Sequence, residues 1–208
     1  MWVRRSLGMR RARTGWAVAL AMAGIVSILG AGSSPATAGA AETPPPFRGE
    51  IQSFEPRAEP QALPEIAFQG PDGEKRSLAD FRGRVIVLNF WAVWCAPCLK
   101  EMPSLDRLQA KLEKEPFEVV AISIDRGDGD GPRSFFQRLE INHLRLYRDP
   151  ANQSSRAIKI RGLPTTLLID GKGREIGRLE GGADWDSPEA EALIHYYLSA
   201  LAASHQEG

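Results

Sequence analysis

Two cysteines, Cys95 and Cys98, are separated by two residues and are the only cysteines among 208 residues. A pair this close cannot clamp distant parts of a fold, and so small a ring constrains little of the unfolded chain's entropy. The spacing suits a disulfide that opens and closes during turnover. Disulfides are attacked by a thiolate, so the attacking cysteine needs a lowered pKa and access to solvent. A helix start supplies both unpaired N–H groups and the positive end of the helix dipole. Cys95 stands where an apolar run, Val85 to Trp91, gives way to a helical pattern, with Pro97 in the first turn, where a missing N–H costs nothing. Cys98 lies one turn further in and can reach back to expel a partner from a mixed disulfide. On this reading Cys95 is the nucleophile and Cys98 the resolving thiol.

Other chemistries meet specific obstacles. A zinc knuckle needs two further ligands at recognisable spacing, which His143, His195 and His205 do not provide. Arg126 to Gly131 has the look of a calcium loop, but in frame its first and twelfth positions are Arg126 and Gln137, where carboxylates are required. A thiol peroxidase shapes its peroxide pocket with P-x-x-x-[ST]-x-x-C, and Leu88 and Ala92 occupy those positions before Cys95. A copper carrier for oxidase assembly would pair a longer C-x-x-x-C with a distant histidine. Here the spacing is shorter, and only His143 or His195 could serve. No metal and no cofactor is expected.

The elements that must position the pair follow from periodicity. Val85 to Trp91 and Val119 to Ile124 read as strands buried on both faces. Leu99, Met102, Leu105, Leu108 and Leu112 recur every three or four residues, defining the helix behind Cys98, with a kink expected at Pro103. Gly70-Pro71-Asp72-Gly73 and Asp170-Gly171-Lys172-Gly173 read as hairpin turns. Ser77 to Phe81 reads as one helical turn, Phe135 to Leu139 as a short helix, and Leu144 to Tyr147 as an edge strand. Ser187 and Pro188 open a last helix whose stripe is Ala190, Leu193, Ile194, Tyr197 and Leu201. This order implies an α/β fold, a central mixed β-sheet flanked by helices.

Asn89-Phe90-Trp91-Ala92-Val93-Trp94-Cys95-Ala96-Pro97-Cys98 resembles the active-site strand and helix of thioredoxin-fold proteins. Lys100-Glu101-Met102-Pro103 and the distal Gly162-Leu163-Pro164-Thr165-Thr166 are similar to the TlpA/ResA branch of exported thiol–disulfide oxidoreductases. The likeness spans roughly residues 60 to 205 and implies a thioredoxin-like fold. It also implies a cis Pro164 facing the cysteines, with Leu163 and Pro164 contacting the backbone of an extended substrate. In this branch a glutamate at position 101 is thought to assist proton transfer at the buried sulfur. The alternative is a solvated helix charge pairing with Arg107 or Lys100. Asn89 departs from cytoplasmic thioredoxins, which carry a buried aspartate there. Trp94 is expected either to be exposed, packing against a docking partner, or to form a half-buried lid on the helix start.

Residues 1–38 read as a signal peptide: five arginines, an apolar stretch from Trp16 to Leu29, and Ala36-Thr37-Ala38 as the cleavage site. The rival reading is an uncleaved membrane anchor over residues 14–31. Both place the remainder in the periplasm or otherwise outside the cytoplasm. Residues 39–62 hold five prolines and read as a poorly ordered Pro-rich linker, with Ile51 and Phe54 as its candidate contacts, and 63–208 as the thioredoxin-like domain. Basic and acidic residues balance at 26 each, and removal of the five arginines leaves −5, which excludes nucleic acid as an expected partner. The expected function is an enzyme that reduces protein disulfides outside the cytoplasm. Through the resemblance, its partners would be apocytochrome c or copper-delivery proteins in cytochrome c or cytochrome oxidase maturation, with electrons from a membrane donor.

Overall fold

The computed structural model describes residues 43–127 and 129–206. The expected signal peptide or anchor therefore lies outside the described residues. The strands are β1 (Phe54–Ala62), β2 (Ala67–Gln69), β3 (Lys75–Ser77), β4 (Val85–Trp91), β5 (Phe117–Ser123), β6 (Tyr147–Arg148), β7 (Thr165–Ile169) and β8 (Arg174–Glu180). The helices are α1 (Ala96–Lys111), α2 (Gly131–Arg138), α3 (Gln153–Ile158) and α4 (Pro188–Gln206). One sheet holds all eight strands in the order β1-β8-β7-β4-β5-β6-β2-β3. β4 pairs in parallel with β5 and antiparallel with β7, so the sheet is mixed, as expected.

β4 is buried at every position, and its side chains divide by parity. Val85, Val87 and Trp91 join the core under α1, α2 and α4, whereas Ile86, Leu88 and Phe90 join a second core shared with β2, Phe81 and Ile158 of α3. Asn89 has the parity of the first group and faces α1. β4 thus ends with one side toward α1, and the chain turns directly into that helix at Cys95.

The sheet begins upstream of residue 63. Within the described residues, the stretch read as a linker contains a 3-10 turn, Gly49–Ile51, followed by β1. Ile51 and Phe54 are buried in the first core. Pro56 and Pro60 are compatible with this because β1 is an edge strand, where a missing N–H can face solvent. The pairing of β1 with β8 shifts register between Pro56 and Gln61. Two further differences concern short elements. β6 is confined to Tyr147–Arg148 and lies inside the sheet, between β5 and β2, rather than at an edge. α3 had no counterpart in the sequence pattern. α1 continues through Pro103 to Lys111.

Candidate active site

Cys95 is the N-cap of α1, and its sulfur accepts the Cys98 N–H at 3.3 Å, so the helix start is aimed at this sulfur. The two cysteines are joined, with an S–S distance of 2.04 Å. The loop before them is fixed from β5. Asp125 accepts the Val93 N–H at 3.0 Å and the Ser123 hydroxyl at 2.9 Å, and the Cys95 N–H donates to the Ala92 carbonyl.

The two sulfurs have different surroundings. Cys98 is fully buried, whereas Cys95 retains 6% exposure and lines an open groove of about 530 Å³. Trp94, Pro97 and Leu163 also line it, with Ile124, Ile160 and Arg161. Trp94 is 70% exposed and so does not form a half-buried lid on the helix start. The Leu163–Pro164 bond is cis, as the resemblance implied. Pro164 itself is buried, and its carbonyl accepts the Gly181 N–H at 2.9 Å.

Glu101 departs from its expected surface alternative. It is 3% exposed and pairs with neither Arg107 nor Lys100. Its Oε1 accepts from Asn89 Nδ2 at 2.8 Å, and its Oε2 accepts from the Ala183 N–H at 3.2 Å and the Trp185 indole N–H at 3.3 Å. Burial pushes its carboxyl up to about 7, against an ordinary 4.5, even though the three donors hold it down. Asn89 also donates to Thr166 Oγ1 at 2.9 Å, while its Oδ1 is buried without a partner. Turned over, the same amide would accept a hydrogen bond from a neutral Glu101, so Asn89 suits both states of the carboxyl.

Several of these residues were not singled out in the sequence. Ala183 and Trp185 come from the loop between β8 and α4, more than 80 positions after Glu101, and no local pattern connects them. The one available signal was a tryptophan in an otherwise small and acidic stretch, Gly181 to Asp186. Asp125 and the groove residues Ile124, Ile160 and Arg161 were equally silent. Among the described residues no three of His, Cys, Asp and Glu come together to hold a metal.

A disulfide at the start of a helix and a cis-proline leading into a central strand of a mixed sheet define a thioredoxin-fold thiol–disulfide oxidoreductase. The chain belongs to the Redoxin family, whose model matches residues 58–194. It is 28% identical over 135 residues to the thiol-disulfide oxidoreductase ResA of Bacillus cereus, spanning 65% of this chain and 77% of that one. It is 26% identical over 145 residues to ResA of Bacillus subtilis, 70% of this chain and 76% of the relative. A crystal structure from Chlorobium tepidum, described as a thiol:disulfide interchange protein DsbE, superposes with a TM-score of 0.58 at 33% identity, over 69% of this chain and 97% of that one. A secreted thiol-disulfide isomerase of Corynebacterium glutamicum shares the fold, with a TM-score of 0.60 at 20% identity over 72% of this chain and 92% of that one. The protein is a ResA-like thiol–disulfide oxidoreductase.

Proposed function

We propose that this protein reduces disulfides in other proteins outside the cytoplasm through a Cys95/Cys98 dithiol–disulfide cycle. One observation carries the assignment of roles: Cys95 caps the helix and lines the open groove, whereas Cys98 is fully buried behind it. The Cys95 thiolate attacks a substrate disulfide, forms a mixed disulfide and releases one substrate thiolate. Cys98 then gives up its proton and attacks the Cys95 sulfur. The second substrate thiolate leaves with the electron pair, and the Cys95–Cys98 bond forms. Glu101, one turn beyond Cys98 and poised near neutrality, takes the Cys98 proton in this direction and returns it in the other.

The groove supports the choice of substrate class. Leu163, Trp94 and Pro97 line the groove beside Cys95, and we assign Leu163 and the cis Pro164 after it to the backbone of an extended substrate, with Trp94 and Pro97 as its apolar face. An extracytoplasmic place accords with the sequence of residues 1–38. There the oxidised pair needs a membrane dithiol donor to return two electrons. Apocytochrome c and copper-delivery proteins are the substrates we favour, through the likeness to ResA and DsbE.

The direct test is trapping. Cys98→Ala should accumulate a mixed disulfide at Cys95 with its partner, whereas Cys95→Ala should accumulate none. Equal trapping by both variants would reverse or abolish the role assignment. Direction is read from the reduction potential, by equilibration with glutathione. Dithiol proteins of this kind run from about −270 mV, reducing, to about −120 mV, strongly oxidising. A value in the reducing half supports a reductase, and one near −120 mV makes the protein an oxidant.

A further inference from the structure

Pro97 lies between two openings. On one side is the groove at Cys95. On the other is a separate cavity of about 340 Å³, lined by Pro97 together with Glu101, Ser104, Gly182 and the charged residues Glu50, Lys100, Arg107 and Asp184. One wall of this second cavity is Gly182 to Asp184, in the loop that runs on to Asp186. Three consecutive backbone N–H groups of that loop are each taken by a different side chain. Ala183 donates to the Glu101 carboxylate at 3.2 Å, Asp184 to Glu50 Oε2 at 3.1 Å, and Trp185 to Ser104 Oγ at 2.9 Å. Ser104 is buried, and its hydroxyl donates a hydrogen bond to the Glu101 backbone carbonyl at 2.7 Å. Arg107 holds the loop's far end through two hydrogen bonds to Asp186, at 2.7 and 2.9 Å.

Glu101, Ser104 and Arg107 are spaced by three along α1 and share one helix face, which is why all three meet this loop. Glu50 arrives from another direction, in the 3-10 turn before β1. Two of the three donors on Glu101, the Ala183 N–H and the Trp185 indole N–H, are therefore only as well aimed as Ser104 and Glu50 hold the segment between them.

We propose that Ser104 and Glu50 are positioning residues for the proton step at Glu101, acting through the Ala183-Asp184-Trp185 segment. The proposal rests on the role given to Glu101 above. It assigns a task in the reaction to a residue upstream of the first strand. It also separates the two traffics of the site: substrate meets Cys95 in one groove, and the proton on Glu101 is handled beside the other cavity. The charged groups facing Glu101 from the packed elements are Lys100 and Arg107 on α1, Asp184 in the loop and Glu50 before β1, with the Cys98 thiol as its reaction partner. Arg107 is engaged by Asp186, and the donors on Glu101 itself are the neutral Asn89, Ala183 and Trp185. Donors favour the carboxylate, so loosening them moves its titration upward.

The test is a side-chain carboxyl NMR titration of the full chain in its oxidised state, where neither cysteine titrates. Glu101 is identified as the resonance missing from Glu101→Gln. Ser104→Ala should raise the Glu101 midpoint by about half a unit or more. Glu50→Ala should shift it in the same direction by less, and Glu50→Gln, which keeps an acceptor for the Asp184 N–H, should restore it. The pH profile for reduction of the oxidised protein by dithiothreitol should move with these midpoints. Midpoints unmoved in Ser104→Ala and Glu50→Ala, even with lowered thermal stability, would leave the two residues as packing alone and overturn the proposal. If instead Glu101→Gln leaves the dithiothreitol profile unchanged, the role of Glu101 itself fails.

Discussion

Glu101 is a carboxylate kept away from water, and its cost and its use have the same origin. Burial raises its folded-state pKa to about 7 from an ordinary 4.5. Folding therefore favours the protonated form. Its stabilising contribution is complete below pH 4.5, declines as pH rises, and is gone above pH 7. A difference of this size corresponds to roughly 3 kcal/mol. Glu101→Gln, which cannot ionise, should thus be more stable than the parent at pH 8 by an amount approaching that figure. The advantage should shrink toward zero at pH 4. Urea unfolding at the two pH values checks it, and a constant offset would mean that Glu101 does not titrate within the fold. The same substitution should slow disulfide reduction most below pH 7, where the parent carries the proton that the leaving Cys98 sulfur needs.

Elements hold this residue in place, and their legibility in the sequence differed for physical reasons. β4, β5, α1 and α4 were readable because their apolar residues repeat with the period of one element packed on another. The CxxC pair was readable because its chemistry is local in sequence, and the Leu163-Pro164 turn through its resemblance to the TlpA/ResA branch. β1 was not, because it is an edge strand, with Phe54 buried and most other positions exposed, and its prolines mimic a linker. α3 was missed because it is six residues long and begins after Asn152 in the left-handed region, with its first N–H groups held by Asp149 rather than by a residue at the cap. The join of β1 to β8 makes its own prediction. Glu175 is 2% exposed and receives Arg178 at 2.7 Å through both oxygens and Arg57 at 2.6 and 2.9 Å. Burial alone would raise its carboxyl, but Arg178 and Arg57 outweigh that and hold it below 4.5. Glu175→Gln leaves Arg178 buried without its counter-charge and should cost about 3–5 kcal/mol at pH 7. A lowered pKa contributes stability above pH 4.5 that is lost as pH falls through the folded value, so parent and variant should converge in acid. Parallel curves down to pH 3 would contradict the ion pair.

At the scale of the molecule, residues before 63 bind the two functions of the fold together. Ile51 and Phe54 close the core beneath α4, Arg57 completes the charge cluster of β8, and Glu50 reaches the loop that supplies two of the donors on Glu101. A chain beginning at residue 63 would still contain both cysteines, Pro164 and every helix. It would nevertheless expose β8 as a new edge open to pairing with other chains. Burying Ile51 and Phe54 is worth about 1.5–3 kcal/mol each. Their loss alone should lower the unfolding temperature by about 10–20 °C relative to a chain beginning at residue 43. The shorter chain should also titrate Glu101 higher, because Glu50 no longer holds Asp184. Thermal unfolding by circular dichroism compares the two chains, with the oxidised-state titration alongside. If both chains melt together, β1 is an accessory to the sheet. If they melt apart but titrate alike, the upstream segment supports the fold without reaching the site.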